Sequence, residues 1–152
     1  MTKSVPLELI APCGMNCNLC LGYLREKNRC PGCNNIHNID NKRECRVKCI
    51  IRNCQILQQN TLKYCSSKCQ KFPCTRLKNL DKRYRTKYGM SMIENLKMIE
   101  KNGIEGFIRQ EEKKWMIGDK IFFVHQKEYY RLEKKRNFFD RYHLRCKMMV
   151  SI

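Results

Sequence analysis

The sequence is short of acid, short of histidine and without any long apolar run. Fourteen Asp and Glu stand against 32 Lys and Arg, which leaves a formal net charge of +18 over 152 residues. A magnitude of about 2 to 8 suffices for the solubility of a small domain, so the excess asks for a partner of opposite sign. No stretch approaches the ~20 apolar residues of a membrane-spanning helix, which argues against a membrane partner. Met1 to Pro12 carries one Lys and no apolar core before a small-residue cleavage site, so no signal peptide is read there. The expectation is a cytoplasmic protein whose thiols stay reduced. Phosphate-binding glycine loops, nucleophile elbows and HExxH helices are missing. His37, His125 and His143 stand isolated. With no catalytic constellation in view, the chain reads as non-enzymatic.

What the sequence has instead is cysteine. Eleven of the 12 fall in the first half and Cys146 stands alone near the end, which places a composition boundary near Thr75. In a reducing compartment such clusters point to metal thiolates rather than disulfides. The sharpest pattern is Cys17-x2-Cys20-x9-Cys30-x2-Cys33. Each C-x2-C pair presents two sulfurs on one tight turn, and two such knuckles close a tetrahedral four-sulfur shell of the structural zinc type. Pro31-Gly32 favours the second turn. A second shell is expected from Cys54, Cys65, Cys69 and Cys74, with Cys13 and Cys49 competing for a place. Ten thiols exceed what two mononuclear zinc ions need, so an iron-sulfur cluster beside a zinc stays open. Cys13-x3-Cys17-x2-Cys20 also matches the spacing of a radical-SAM cluster loop, but the barrel those enzymes use takes about 200 residues or more.

The second half carries regular structure. Ser91 and Glu94 form a capping box that starts a helix, and Met92, Ile93, Leu96 and Ile99 follow at helical spacing. Asn102-Gly103 supplies a left-handed stop. A second helix is expected from about Ile104 to Met116, packed antiparallel on the first, with Trp115 in the core. Ile121 to His125 and Glu128 to Leu132 read as a hairpin. From Glu133 onward a basic amphipathic helix with Phe138, Phe139, Tyr142 and Cys146 competes with coil.

Two basic segments carry the functional clue. Arg76, Lys78, Lys82, Arg83, Arg85 and Lys87 surround a single acid, Asp81, with Tyr84 and Tyr88 interleaved. The stretch from Arg131 to Lys147 is of the same kind. Cations of this density gain affinity for phosphate backbones through counterion release, and aromatics stack on exposed bases. Two four-thiolate zinc sites would lower the charge by only about four, so the excess survives metal binding.

The ordered motifs Cys13-Gly14-x2-Cys17-x2-Cys20, Cys30-Pro31-Gly32-Cys33, Cys49 to Cys54, Phe72-Pro73-Cys74 and Tyr88-Gly89-Met90-Ser91 resemble those of a widespread prokaryotic cysteine-rich family. It is a domain of unknown function, regarded as zinc-binding and found in archaea and anaerobic bacteria. The resemblance implies zinc and no particular activity. Members of that family often continue after the tryptophan with further cysteine pairs and a histidine. Here Met116 to Tyr129 holds no thiol, which leaves aromatic packing to hold the hairpin and makes His125 a remnant rather than a ligand. The x3 spacing of Cys65 and Cys69, where x2 is usual, leaves the second ligand set open.

The fold expected is therefore a small α-dominated, metal-stapled α+β protein. Residues 1–75 form a cysteine-rich zinc-type module, and residues 76–152 a basic helical pair with a short β-hairpin and tail. The functional expectation is a zinc-stapled binding module, with two zinc ions as its expected complement, that docks on RNA, the ribosome included. An iron-sulfur or redox protein and a protein-interaction adaptor are the alternatives.

Overall fold

A computed structural model describes residues 9–20, 23, 30–34, 48–118, 120–123 and 127–131. Cys45, Cys146, the three histidines and the tail beyond Arg131 lie outside the described residues. Among the described residues three helices and one small sheet follow in order: α1 (Gln55–Gln59), α2 (Thr75–Tyr88), α3 (Met92–Trp115), then β1 (Met116–Ile117), β2 (Lys120–Phe123) and β3 (Glu128–Arg131). The strands pair antiparallel in the order β1-β2-β3. A short 3-10 turn, Cys17–Leu19, lies against β2. Among the described residues no helix is long and apolar enough to cross a membrane.

Helix α2 is the element that charge concealed in the sequence. Its inward face is Leu77, Leu80, Asp81, Tyr84 and Tyr88, with Leu77 fully buried. Burying one leucine side chain stabilises by about 1.5–3 kcal/mol, enough to hold a helix whose other faces are almost all polar. It ends at Gly89, whose φ of 63 gives the left-handed C-cap. There the Gly89 and Met90 N–H groups donate to Arg85 and Tyr84 carbonyls, satisfying the last turn.

Ser91 then starts α3 as its spacing predicts, accepting from the Glu94 N–H at 3.1 Å. The Glu94 carboxylate does not reach back to the cap; it takes an N–H of Arg85 at 2.9 Å. Gly103 breaks the helix at φ 69 and ψ 171, but α3 resumes at once and runs on to Trp115. The two helices expected on either side of the Asn102-Gly103 stop are thus present as two arms of α3, joined at a single non-helical residue without a connecting loop. The helix that packs against α3 is α2.

The expected hairpin is a three-stranded sheet, since Met116 and Ile117 leave α3 directly into an edge strand. Trp115 stacks on Phe122 at 5.5 Å and 11°, and Phe122 meets Tyr129 at 5.1 Å. Aromatic contact spans the turn out of the helix and both following strands.

The core has three contiguous parts. Leu9, Ala11, Met15, Cys17, Leu19, Met90, Met92 and Ile121 make the first. Ile10, Phe107 and Ile108 make the second, and Ile51, Leu77 and Leu96 the third. Each draws on residues from both sides of Thr75, so the cysteine-rich segment and the helices share their interior.

Candidate functional site

The cysteine segment is built from tight turns. The Ala11 N–H donates to the Met15 carbonyl at 2.8 Å around Cys13 and Gly14. Gly14 sits at φ +85, and a Cβ there would fall 2.9 Å from Leu96 Cγ and 3.0 Å from the Met92 carbonyl oxygen. Only glycine lets this loop lie directly on α3. The Cys17–Leu19 turn follows, with the Cys20 N–H donating to the Cys17 carbonyl. Cys30 is buried, and Gly32 at φ +94 makes the turn that carries Cys33.

Further along, the Asn53 N–H donates to the Cys49 carbonyl at 3.0 Å, and the Cys54 N–H to that of Ile51. Cys54 is the N-cap of α1 and Cys74 the N-cap of α2, and neither uses its side chain as a cap acceptor. Both helix N-termini turn a partial positive charge toward whatever anionic sulfur shell forms there. Cys69 lies in the turn between Ser66 and Phe72.

Two links join the early and late cysteines. The Cys65 backbone N–H donates to the Pro12 carbonyl at 2.9 Å. Arg52 donates its Nε to the Cys33 carbonyl at 3.0 Å, while its backbone N–H lies 3.5 Å from Cys49 Sγ. Cys13 packs against the first and third parts of the core alike, and Cys49, Cys65 and Cys74 share the third with it.

The ionisation of these thiols reflects their crowding. Burial, then the neighbouring Cys33, pushes the Cys13 thiol up to about 12, with Cys49 and Cys65 adding to it. Burial pushes Cys65 up to about 12 as well, followed by Cys74, Cys54, Cys69 and Cys49. Cys17 rises through its hydrogen bond to Cys33 and through burial. Backbone N–H groups nevertheless point at sulfur: Met15 at Cys13, Cys33 at Cys17 and Arg52 at Cys49. N–H donors on sulfur are the outer support that thiolate ligands take around a metal. The donor set therefore suits a thiophilic ion. No disulfide joins the ten described cysteines, and among the described residues no group of three His, Cys, Asp or Glu side chains is placed to hold a metal ion, so the metal-stapled module expected from the cysteine spacing is not shown.

The basic residues divide. Arg76, Lys78, Lys82, Arg83 and Lys87 are exposed on α2 and make no ion pair among the described residues. At 100° per residue, Arg76, Arg83 and Lys87 fall on one flank and Lys78 and Lys82 on the other, with Asn79 and Thr86 between. Arg85 is different. Its guanidinium bonds Asp81 Oδ2 at 2.7 Å, Ser91 Oγ at 2.9 Å and Glu94 Oε1 at 2.9 Å, which makes it part of the α2–α3 joint. Tyr84 and Tyr88 also depart from the expectation of base stacking. Their rings meet edge to face at 5.2 Å and pack on the first part of the core, so both are turned from solvent. Burial, with Cys20 and Cys13 nearby, raises the Tyr84 hydroxyl well above its usual range.

Several positions escaped the motif reading. Asp81 is buried, takes the Ser91 hydroxyl at 2.7 Å and the Ile93 N–H at 2.9 Å, and anchors the start of α3. Glu111 is buried with one oxygen on Trp115 Nε1 and the other without a partner. Beyond the kink, Asn102, Gly106, Arg109, Gln110 and Lys113 line an open hollow of about 380 Å³. The i, i+4, i+7, i+11 spacing of 102, 106, 109 and 113 was the available sign of that stripe.

No family model, curated protein or solved structure matches the chain.

Proposed function

We propose that this chain is a non-enzymatic binding module, stapled by zinc held on cysteine thiolates, that docks on RNA through the outer face of α2. The observation that carries the reading is the pair of cation flanks on α2, set on a helix whose N-cap is Cys74. Sulfur ligation at Cys74 would fix the first turn of the helix, and the helix in turn fixes the spacing of Arg76, Lys78, Lys82, Arg83 and Lys87. With the tyrosines facing inward, contact is with phosphate rather than base faces, so affinity depends on salt far more than on sequence. Ribosomal RNA offers such a surface as readily as any other structured RNA.

Fluorescence anisotropy of a labelled RNA across a salt series tests the reading. The expected result is a linear fall of log affinity with log salt. Replacing Lys78, Lys82 and Arg83 by Gln reduces the slope by about one for each lost phosphate contact. Absence of binding at low salt would end the proposal. Elemental analysis of anaerobically purified protein tests the staple: zinc supports it, and iron with inorganic sulfide replaces it with the cluster alternative.

A further inference from the structure

The sheet that follows α3 has two unlike faces. Cross-strand partners share a face, and neighbours along a strand alternate between faces. Ile121, paired with Met116, is buried in the first part of the core together with Cys17 and Leu19. The opposite row pairs Ile117 with Lys120, Lys120 with Arg131, and Phe122 with Tyr129. Ile117 is 63% exposed and Tyr129 47%, and Lys120 is exposed beside them. Phe122 stacks on Trp115 and meets Tyr129, so three rings run from the end of α3 to the edge strand β3, with the last of them the most open to solvent. Lys114 Nζ lies 4.8 Å from the centre of the Trp115 ring, and Lys127 is exposed in the turn before β3. Glu128, next to Tyr129 on β3, falls on the other side of the pleat, so the row itself holds no acid among the described residues.

We infer that this outer face of the sheet takes single-stranded RNA, an unpaired base stacking on Tyr129 while Lys114, Lys120 and Lys127 draw the flanking phosphates. A ring open on the surface, backed by two further rings and rimmed by cations, rewards both parts of a nucleotide: the base by stacking, the phosphate by counterion release. A purely apolar partner would cover Ile117 and Tyr129 at the cost of desolvating the lysines without an anion to pair them. A duplex keeps its base faces stacked inside, so the preference is for unpaired nucleotides. This inference rests on the RNA reading of α2, whose own tyrosines face the core, and goes beyond it by adding a base-binding face and a preference for single strands.

Trp115 is the single tryptophan of the chain, so its fluorescence reports on the row of rings. The test titrates the full chain with a short unstructured RNA and with a blunt RNA duplex of the same length, at one salt concentration and then across a series. The expected result is a saturable change in Trp115 emission with the single strand and tighter binding of it than of the duplex. Tyr129→Ala is expected to weaken the single strand by about 5- to 150-fold with the salt slope unchanged, because no cation is lost, and Tyr129→Phe to bind as the wild type does. Equal affinity for the two RNAs with Trp115 emission unmoved, or Tyr129→Ala binding as tightly as the wild type, overturns the base-binding face, turns the sheet over to a protein partner and leaves the α2 reading standing. No binding of either RNA at low salt overturns both. The two RNAs are compared on the wild-type protein, so the inference stays open to refutation if the alanine variant fails to fold.

Discussion

The buried Asn95 side chain donates to the Gly14 carbonyl at 3.0 Å across 81 residues of sequence. It ties the loop that carries Cys13 to the first arm of α3, at the place where the missing Cβ of Gly14 lets the two backbones touch. Gly14→Ala is expected to destabilise the fold by about 1–3 kcal/mol, through overpacking and a disfavoured positive φ. Urea denaturation measures it. A change within 0.5 kcal/mol of zero would show that the loop can lift off the helix at little cost.

Asp81 joins α2 to α3, and its loss leaves the Ser91 hydroxyl, the Ile93 N–H and the Arg85 Nε without their acceptor. Asp81→Ala is therefore expected to cost about 1–3 kcal/mol. Burial alone would raise this carboxyl, but the Ile93 N–H, the Ser91 hydroxyl and Arg85 outweigh it and hold it below the ordinary range. The stabilisation is present above the unfolded-state value of 3.8 and is lost as pH falls through the lower folded one. Melting temperature against pH from 5 to 2 should show a steeper acid limb in the wild type than in Asp81→Ala.

Glu111 predicts the opposite slope. Burial raises its carboxyl, only partly offset by the Trp115 N–H and Lys114. The folded state then holds the proton more tightly than the unfolded one, so stability declines as pH rises from the unfolded value of 4.5 toward the folded one. Glu111→Gln keeps an acceptor for Trp115 and removes the charge. It is expected to flatten that decline and raise the melting temperature at pH 7, which a calorimetric pH series would read. An unchanged slope would remove Glu111 as its source.

The aromatic contact at the end of α3 lends itself to a double-mutant cycle. Trp115→Leu and Phe122→Leu are expected to couple by about 0.5–1.5 kcal/mol. Additive losses would mean that the stacked rings contribute only their separate burial.

Metal removal gives the last prediction. If thiolate ligation is folding free energy, chelation will speed hydrogen exchange across 48–74 and added zinc will restore protection. Exchange that is indifferent to the chelator would count against the staple.

How much of this could be read from the sequence follows from where each signal lay. The Ser91 cap and the Gly103 break are local, each fixed by residues within a turn of one another, and both stand where the spacing placed them. The sheet grew a strand beyond the expected hairpin because Met116 and Ile117 are too few to show alternation. Helix α2 was hidden by its own chemistry. Asp81 interrupts the apolar face of Leu77, Leu80, Tyr84 and Tyr88, and it becomes an acceptable interior residue only once Ser91 and Ile93 arrive from the next element. The cysteine pattern marked the tight turns at Cys17 and Cys33, whereas the tie from Cys65 to Pro12 joins residues far apart in the chain, which spacing cannot reveal. Tyr84 and Tyr88 looked available for bases because a charge run says nothing of which side of a helix meets the core.

The Cys74 cap has one more consequence. The cations of α2 are counted from a sulfur, so a single residue inserted between Cys74 and Arg76 would turn both cation flanks by about 100° relative to the thiols. If Cys74 ligates a metal and α2 docks on RNA as proposed, the interval from Cys74 to Arg76 is as intolerant of length change as the intervals between the ligating cysteines, while substitutions among Arg76, Lys78 and Lys82 that keep the charge remain open.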